Sequence, residues 1–423
     1  MALRMSPRTP TPAPFSLRPL LAANMACTMA MMAFVSLIGP IVRQVGLMAW
    51  QAGAAVTVGG VLWMLLARPW GAASDKHGRR KILLLGVGGF VLSYWAMAAV
   101  IDVSLRMMPA ALLVFIGLVI TRGAIGAFYG AIPTAGMALV ADHVPPMKRA
   151  GAMASLGAAN AVGMVVGPAL AAMLAQHSLS LPLYLTGLLP IIAFVILWMA
   201  LPRTTPVQHP QRATLKLNDV RLRRPMAVAF TAMFCVAVAQ ITVGFFAIDR
   251  LGLVGPAAAK AAGIALTAVG VSLVLSQMLV RKLKWQPQRM IYVGGLVAAI
   301  GFGAVALAES APVLWACYFV AAAGMGWIFP AFSALAANSV EAHEQGAAAG
   351  TVGAAQGLGI VVGPLVGTVL YSVSPGTPYL MVGAMLAAVA VWPTADAMPP
   401  AGKADNNTDK PAEKAGDKPE TVA

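Results

Sequence analysis

Long apolar runs alternate with short polar loops along almost the whole chain. Each run holds roughly 20 residues, the length that an α-helix needs to cross about 30 Å of hydrocarbon. The shorter segments of alternating polarity that are typical of a membrane β-barrel are missing from the sequence. The pattern predicts an all-α integral membrane protein with twelve transmembrane helices. The runs cover residues 20–41, 50–70, 82–101, 109–140, 150–175, 181–201, 226–248, 257–280, 290–308, 312–337, 346–371 and 377–395.

The chain divides into two halves that repeat each other. The segment 151–174 aligns without gaps to 347–370, and both contain the spacing G-x5-G-x3-G-P. Polytopic chains with such an internal duplication build a transport site between two related bundles. We therefore expect two pseudo-symmetric six-helix bundles. The expected organisation is a cytoplasmic N-terminal arm 1–19, an N-terminal bundle 20–201, a cytoplasmic linker 202–225, a C-terminal bundle 226–395 and a disordered cytoplasmic tail 396–423.

Composition and the placement of charge agree with a membrane protein. Hydrophobic residues make up 59% of the chain and charged residues only 10%, well below the roughly 25% of a soluble protein. The net charge of +15 would also suit a nucleic-acid partner. However, 24 of the 29 Lys and Arg residues fall in the loops and termini on one side of the expected topology. By the positive-inside rule this pattern predicts a multi-pass protein of the inner membrane with both termini cytoplasmic, surrounded by lipid and without nucleic acid as a partner.

The loop 71–81, GAASDKHGRRK, concentrates six ionisable side chains between two apolar runs. Topology explains its basic residues, but an acid contributes little to orientation, so Asp75 needs another role. Gly71 would allow a close helix approach, and Gly78 would permit a tight turn. Arg79 can bridge to a second acid, for which Asp142 near the end of the fourth run is the best candidate.

These residues resemble the signature G-x-L-a-D-r-x-G-r-k of the major facilitator superfamily, which lies between its second and third helices. Ala73 replaces the usual Leu. The resemblance, which is to the twelve-span drug–proton antiporter branch, implies that the loop latches the cytoplasmic ends of the halves in the outward-open state, against the eleventh helix near Gly346. A purely topogenic role for the basic side chains stays open. The implied latch residues are Gly71, Asp75, Gly78, Arg79, Arg80 and Asp142.

The fifth run carries a second resemblance, to the family's antiporter motif. Proline removes a backbone hydrogen bond and bends a helix, and glycines let a neighbouring helix approach closely. Ala154 stands in place of the first glycine of the motif, and the second half matches better. The resemblance implies antiport and export, whereas generic small-residue packing is the alternative. The motif residues of the two halves are Gly163, Gly167, Pro168, Gly359, Gly363 and Pro364.

Arg122 lies about twelve residues into the fourth helix, where an Arg costs roughly 2.5–3.5 kcal/mol on insertion scales. It resembles the family's fourth-helix arginine, which implies a part in proton coupling. A structural Arg bonded to backbone carbonyls is the alternative. None of the fourteen acids of the chain lies at mid-membrane. Asp249, at the end of the seventh helix, is the other candidate for proton coupling, although a solvated end cap would also explain it.

The helices that line the cavity in this family carry few hydrogen-bonding groups here. This composition predicts an apolar pocket for an amphipathic small molecule, such as a drug, a siderophore or another metabolite, rather than for a sugar. The candidate cavity residues are Asn24, Phe34, Tyr129, Gln240, Phe245, Phe246, Tyr318 and Trp327.

The sequence lacks the signatures of an enzyme. It has no G-x4-G-K-[ST] for ATP, and its five His and three Cys show no metal-ligand spacing, so we expect no cofactor and no metal. The sequence favours a monomeric secondary active transporter that exports its substrate by alternating access in exchange for protons. An uptake symporter of the same fold is the first alternative, and a non-transporting membrane sensor or scaffold is the second.

Overall fold

Helices make up the fold of the residues that the computed structural model describes, which are 16–201, 219–283, 285–341 and 344–392. The expected N-terminal arm up to residue 15, most of the linker and the tail lie outside these residues. One short 3-10 helix, Val220–Leu222, precedes the second half. The α-helices of the described residues are α1 (Arg18–Gln44), α2 (Ala49–His77), α3 (Arg79–Met107), α4 (Ala111–Tyr129), α5 (Ala131–His143), α6 (Pro146–Leu174), α7 (Leu181–Ala200), α8 (Arg223–Asp249), α9 (Pro256–Leu283), α10 (Pro287–Val305), α11 (Ala311–Asn338), α12 (Gln345–Tyr371) and α13 (Thr377–Val391).

These helices form twelve spans, which confirms the expected all-α membrane architecture. Within the described residues, eleven helical segments are long and apolar enough to cross a membrane, and α4 and α5 together form one of them. The twelfth, α13, is a shorter apolar helix of 15 residues. Large apolar side chains such as Leu92 and Leu113 remain exposed on the outer faces of the helices. Soluble proteins rarely expose such continuous apolar surfaces, whereas lipid covers them in a membrane.

The fourth span differs from the single run expected at 109–140, because α4 ends at Tyr129 and α5 begins at Ala131. Pro133 lies in the first turn of α5. It has no backbone N–H to donate to the carbonyl of Tyr129, and its ring crowds that carbonyl. The helix is therefore interrupted in the middle of the span rather than at its end.

The N-terminal half, α1–α7, packs against the C-terminal half, α8–α13, towards one end of the molecule. We call it the Asp249 end, after the last residue of α8. There α1 crosses α8 so closely that a Cβ on Gly39 would lie 2.6 Å from the carbonyl carbon of Gly244. The Thr57 hydroxyl of α2 donates a hydrogen bond of 2.9 Å to the Val361 carbonyl of α12. Helices α6 and α9 form a third contact between the halves.

The opposite end, which we call the Asp75 end, is open between the halves. A Cβ built on Gly157 of α6 or on Gly353 of α12 meets no atom within 4 Å among the described residues. Both glycines lie in the half of their helix nearer the Asp75 end. In the described part of the chain, the protein is therefore closed at the Asp249 end and open at the Asp75 end.

A disulfide between α2 and α12 tests this closure. A Cβ built on Gly60 lies 3.7 Å from the Cβ of Val361, which is within the range of disulfides. We expect the double variant Gly60→Cys/Val361→Cys to form a cross-link under mild oxidation. The transport activity that the sequence predicts should stop while the bond is intact and return after reduction, because the halves can no longer separate at this end. After proteolytic cleavage of the chain between the two halves, gel electrophoresis shows whether the disulfide still joins them.

The single variants Gly60→Cys and Val361→Cys are the controls, and neither should respond to oxidation. Of the three native cysteines, Cys27 and Cys235 are buried and Cys317 is half-buried, so Cys317 is replaced by serine in every variant. Unchanged transport with a complete cross-link would contradict the idea that this contact opens during the cycle.

Candidate functional site

A charged cluster at the Asp75 end begins at the break between α2 and α3. Gly78 adopts φ 92°, a conformation that favours glycine, and this confirms the expected tight turn. Arg79 follows at once, and its buried guanidinium Nε donates to Asp142 Oδ2 at 2.9 Å. Asp75 pairs with the same guanidinium from the preceding turn, and its side chain is 51% exposed. The structure thus brings together the two acids and the arginine that the sequence singled out.

Two other expected latch residues are Arg80 and Gly71, and Arg80 makes a hydrogen bond within the N-terminal half. The Arg80 guanidinium donates to the backbone carbonyl of Trp198 at the end of α7. The expected close approach at Gly71 is wrong for this conformation, because a Cβ there meets no atom within 4 Å in the described part of the chain. Gly346, the expected partner surface, lies outside the residues whose surroundings are described, so the latch stays a prediction.

Two substitutions distinguish the contributions of the buried acid Asp142 and the exposed acid Asp75 to the stability of this cluster. Asp142→Asn removes the buried partner of Arg79, and breaking a buried ion pair costs about 3–5 kcal/mol. Asp75→Asn removes an exposed partner, for which the cost stays below about 1 kcal/mol. We expect a clear fall of the Tm of the purified protein for Asp142→Asn and almost none for Asp75→Asn. Equal shifts would show that the two acids support Arg79 to the same extent.

A second cluster joins the two halves at the Asp249 end. Arg43, near the end of α1, lies 2.5 Å from Asp249 at the end of α8. The Tyr371 hydroxyl of α12 donates to the same carboxylate oxygen at 3.1 Å. The Arg43 guanidinium also lies over the Phe245 ring, 5.5 Å from its centroid. An open cavity of about 340 Å³ borders the cluster and is lined in part by Trp50.

Sequence reasoning found only part of this second cluster. It selected Asp249 but gave Arg43 no role and did not select Tyr371. The available signal was charge complementarity, since Arg43 and Asp249 lie near the ends of the first helices of the two related halves. Their contact depends on how the halves pack, and helix patterns do not report that packing.

Arg122 is a buried cation in the middle of its span. Its guanidinium lies 4.9 Å from the centroid of the Phe34 ring of α1. Its Nε and Nη1 atoms are buried and have no hydrogen-bond partner among the described residues. The alternative of a structural arginine held by backbone carbonyls is therefore wrong for these two atoms. Gly59 of α2 packs against the backbone carbonyl of Arg122.

The glycine–proline motifs of the two halves form equivalent contacts. A Cβ on Gly163 of α6 would lie 2.8 Å from the Met25 carbonyl of α1, and one on Gly359 of α12 would lie 2.6 Å from the Phe230 carbonyl of α8. Each motif therefore holds its helix against the first helix of the same half. Gly167 and Gly363 make similar approaches one turn further on, and the carbonyls of Pro168 and Pro364 face glycines of the opposite half, Gly263 and Gly53.

The candidate cavity residues separate into two groups. Tyr318 is typical of the first group, since its hydroxyl donates to the Ala239 carbonyl at 2.7 Å inside the C-terminal half. These side chains pack in the protein interior in this conformation, which corrects the expectation that they line an open cavity; they are Asn24, Phe34, Phe245, Phe246 and Tyr318. Half-buried side chains form the second group, for which a place on the cavity wall stays a prediction; they are Tyr129, Gln240 and Trp327.

One polar contact near the expected cavity was not selected from the sequence. The Thr28 hydroxyl of α1 lies 2.9 Å from Asn160 Oδ1 of α6 and 2.8 Å from the Asn24 carbonyl. Asn160 is half-buried and aligns with Gln356 in the sequence repeat. Within the described residues, no group of three or more His, Cys, Asp and Glu side chains could hold a metal ion.

Twelve spans in two related halves that touch at one end define a polytopic membrane transporter rather than an enzyme. The model of the Major Facilitator Superfamily matches residues 20–348 and 257–419, and the chain belongs to this family.

Similar proteins agree with this assignment. Tetracycline resistance protein, class G, of Vibrio anguillarum is 27% identical over 77% of this chain and 81% of its own length. Tetracycline resistance protein, class C, of Escherichia coli is 26% identical over 75% of this chain and 79% of its own. A solved bacterial homologue of the human lysosomal transporter Spinster, in an inward-facing and unoccupied conformation, has a TM-score of 0.67 at 14% identity. It covers 89% of this chain and 93% of its own, and it supports the fold.

Proposed function

We propose that this protein exports an amphipathic small organic molecule across the inner membrane by alternating access, as a drug efflux transporter. The observation that carries the proposal is the closure of the two halves at one end only, with an ion pair between Arg43 and Asp249 across the closed end. Two relatives that match about three quarters of the chain are named as tetracycline resistance proteins, which favours efflux of a drug.

The orientation of the protein follows from its charge. The positive-inside rule puts the Asp75 end, with its basic loop 71–81, in the cytoplasm. The structure would then be open to the cytoplasm and closed to the outside. In this state an exporter receives its substrate from the cytoplasm or the inner leaflet of the membrane.

The cluster of Arg43, Asp249 and Tyr371 serves in this proposal as an outer gate. The side chains of Arg43 and Asp249 are 37% and 27% exposed, so solvent screens their attraction. Ion pairs of this exposure contribute about 1 kcal/mol or less, which suits a contact that must break in every cycle. When the outer gate opens, the two halves approach each other at the Asp75 end, and the loop 71–81 forms the inner latch.

We further propose that protons drive the export. The carboxylates of the described residues lie at helix ends, so a proton that enters from outside meets the gate first. Asp249 is the carboxylate placed there, facing Arg43 of α1 and Tyr371 of α12. Arg122 takes part in coupling by resemblance to the family.

Inverted membrane vesicles test the direction and the coupling of transport. With tetracycline as the probe and an acidic vesicle interior, we expect accumulation inside the vesicles, because their interior corresponds to the outside of the cell. An uncoupler should abolish the accumulation. Vesicles with the inactive cross-linked variant Gly60→Cys/Val361→Cys are the control.

Accumulation that is insensitive to the uncoupler would exclude proton antiport. Accumulation in right-side-out vesicles instead would support the uptake symporter. Asp75→Asn should slow accumulation at an unchanged protein level, whereas Asp102→Asn, which removes an ion pair with Arg106 at the opposite end, should not.

Exchange of the two gate charges tests the outer gate. Arg43→Asp and Asp249→Arg alone put two like charges together and should hold the outer end open, so each should slow transport severalfold. The double variant Arg43→Asp/Asp249→Arg restores an attractive pair and should recover much of the rate. Labelling of a cysteine introduced at Thr368, which is buried against Gly53 of α2 in this state, measures the opening directly.

Arg250→Ala is the matched control for the exchange. Arg250 lies one residue beyond Asp249 and approaches Glu309 at 3.9 Å within the C-terminal half. Its removal should leave transport unchanged. If the double variant were as slow as the single ones, the pair would not act as a gate through charge.

A further inference from the structure

Arg122 differs from the paired arginines of the structure because no acid accompanies it. The ion-paired arginines lie at helix ends or in loops, where Asp or Glu side chains are within reach. Arg122 lies about twelve residues into α4, roughly 18 Å along the helix axis. No acid of the chain is placed at that depth of a span. Among the residues that the structure describes, the cation in the membrane interior therefore has no compensating carboxylate.

The neighbours of Arg122 offer it no negative charge either. The Phe34 ring covers one face of the guanidinium, 4.9 Å away at its centroid. The Tyr94 hydroxyl is engaged with the Ala30 carbonyl at 2.8 Å and the Thr186 hydroxyl at 3.1 Å. Buried charges in proteins are normally paired or hydrogen-bonded, so the unpartnered Nε and Nη1 atoms of Arg122 indicate a partner from outside the chain.

Arg122 also lies beside the contact between the two halves. Its ring neighbour Phe34 lies on α1, five residues before Gly39, which touches α8. Its other neighbour, Gly59, lies on α2 between Thr57 and Gly60, which touch α12. The guanidinium is thus held between the two helices that separate from the C-terminal half during alternating access. Arg122 is 5% exposed in this structure, in which the halves are closed at the Asp249 end.

We propose that Arg122 binds the carboxylate of transported molecules, so that the substrates include amphipathic organic acids carried as anions. The inference rests on the proposed export function and adds the charge of the cargo. A guanidinium binds a carboxylate through two parallel hydrogen bonds along either of its two outer edges. Nε belongs to one edge and Nη1 to the other, each together with Nη2, and Nε and Nη1 have no hydrogen-bond partner among the described residues. A lipid headgroup is excluded by depth, since headgroups lie at the surface of a hydrocarbon layer about 30 Å thick.

A pair of probes that differ only in charge tests the proposal. Dansylglycine carries a carboxylate at neutral pH, and dansylglycinamide replaces it with a neutral amide on the same fluorophore. Binding to the purified protein in non-ionic detergent is measured by fluorescence titration. We expect the acid to bind about tenfold more tightly or better, as charge-assisted hydrogen bonds imply. Arg122→Gln should abolish this preference and leave the affinity of the amide unchanged.

Two further variants make the result specific. Arg122→Lys keeps the charge but not the planar pair of donors, and it should retain a weaker preference for the acid. Arg106→Gln removes an exposed arginine from the same half and should change neither affinity. Thermal unfolding of each variant shows that the protein remains folded.

Equal affinities of the two probes for the wild-type protein, no binding of either probe, or a preference that survives in Arg122→Gln would overturn the proposal. Tetracycline export in inverted vesicles is measured independently. Intact export without a preference for the acid would remove only the anion site. A preference for the acid without export would instead remove the proposed function and keep the site.

Discussion

The exclusion of charge from the membrane interior is the constraint on which the rest of this structure depends. A charged side chain in hydrocarbon costs several kcal/mol unless a partner compensates it, so ionisable groups collect at helix ends. In this protein the cluster around Arg79 and the cluster around Asp249 lie at opposite ends of the molecule. The two clusters lie where the halves meet or separate. Charge placement and conformational change are thus linked by the same physical requirement.

Close helix packing provides the second requirement. In lipid, apolar side chains gain little from association, and small residues allow the backbone contacts that hold helices together. Gly39 against Gly244 at the closed end shows this between the halves, and the motif glycines show it within each half. At the closed end the contact between the halves consists of such backbone surfaces and the ion pair between Arg43 and Asp249.

Several features of the site were readable from residue types alone. The positive φ of Gly78 and the pairing of Arg79 with Asp142 follow from a motif whose elements are adjacent to helix ends. The depth of Arg122 followed from counting residues along a helix. The interruption of the fourth span at Gly130 was missed because Pro133 was not weighed against the apolar run around it. The cavity residues were predicted least well from the sequence, since residue type does not show which face of a helix is buried.

The sequence by itself determined the number of spans, their order in two related halves and the helix ends that carry charge, because helix length and polarity are local properties measured against the thickness of the bilayer. Only the tertiary structure decided which end is closed and that Arg43, Asp249 and Tyr371 meet there. It also showed that Arg122 lies beside Phe34 without an acid. These facts depend on contacts between helices far apart in the chain, and a pattern along one helix carries no information about its neighbours.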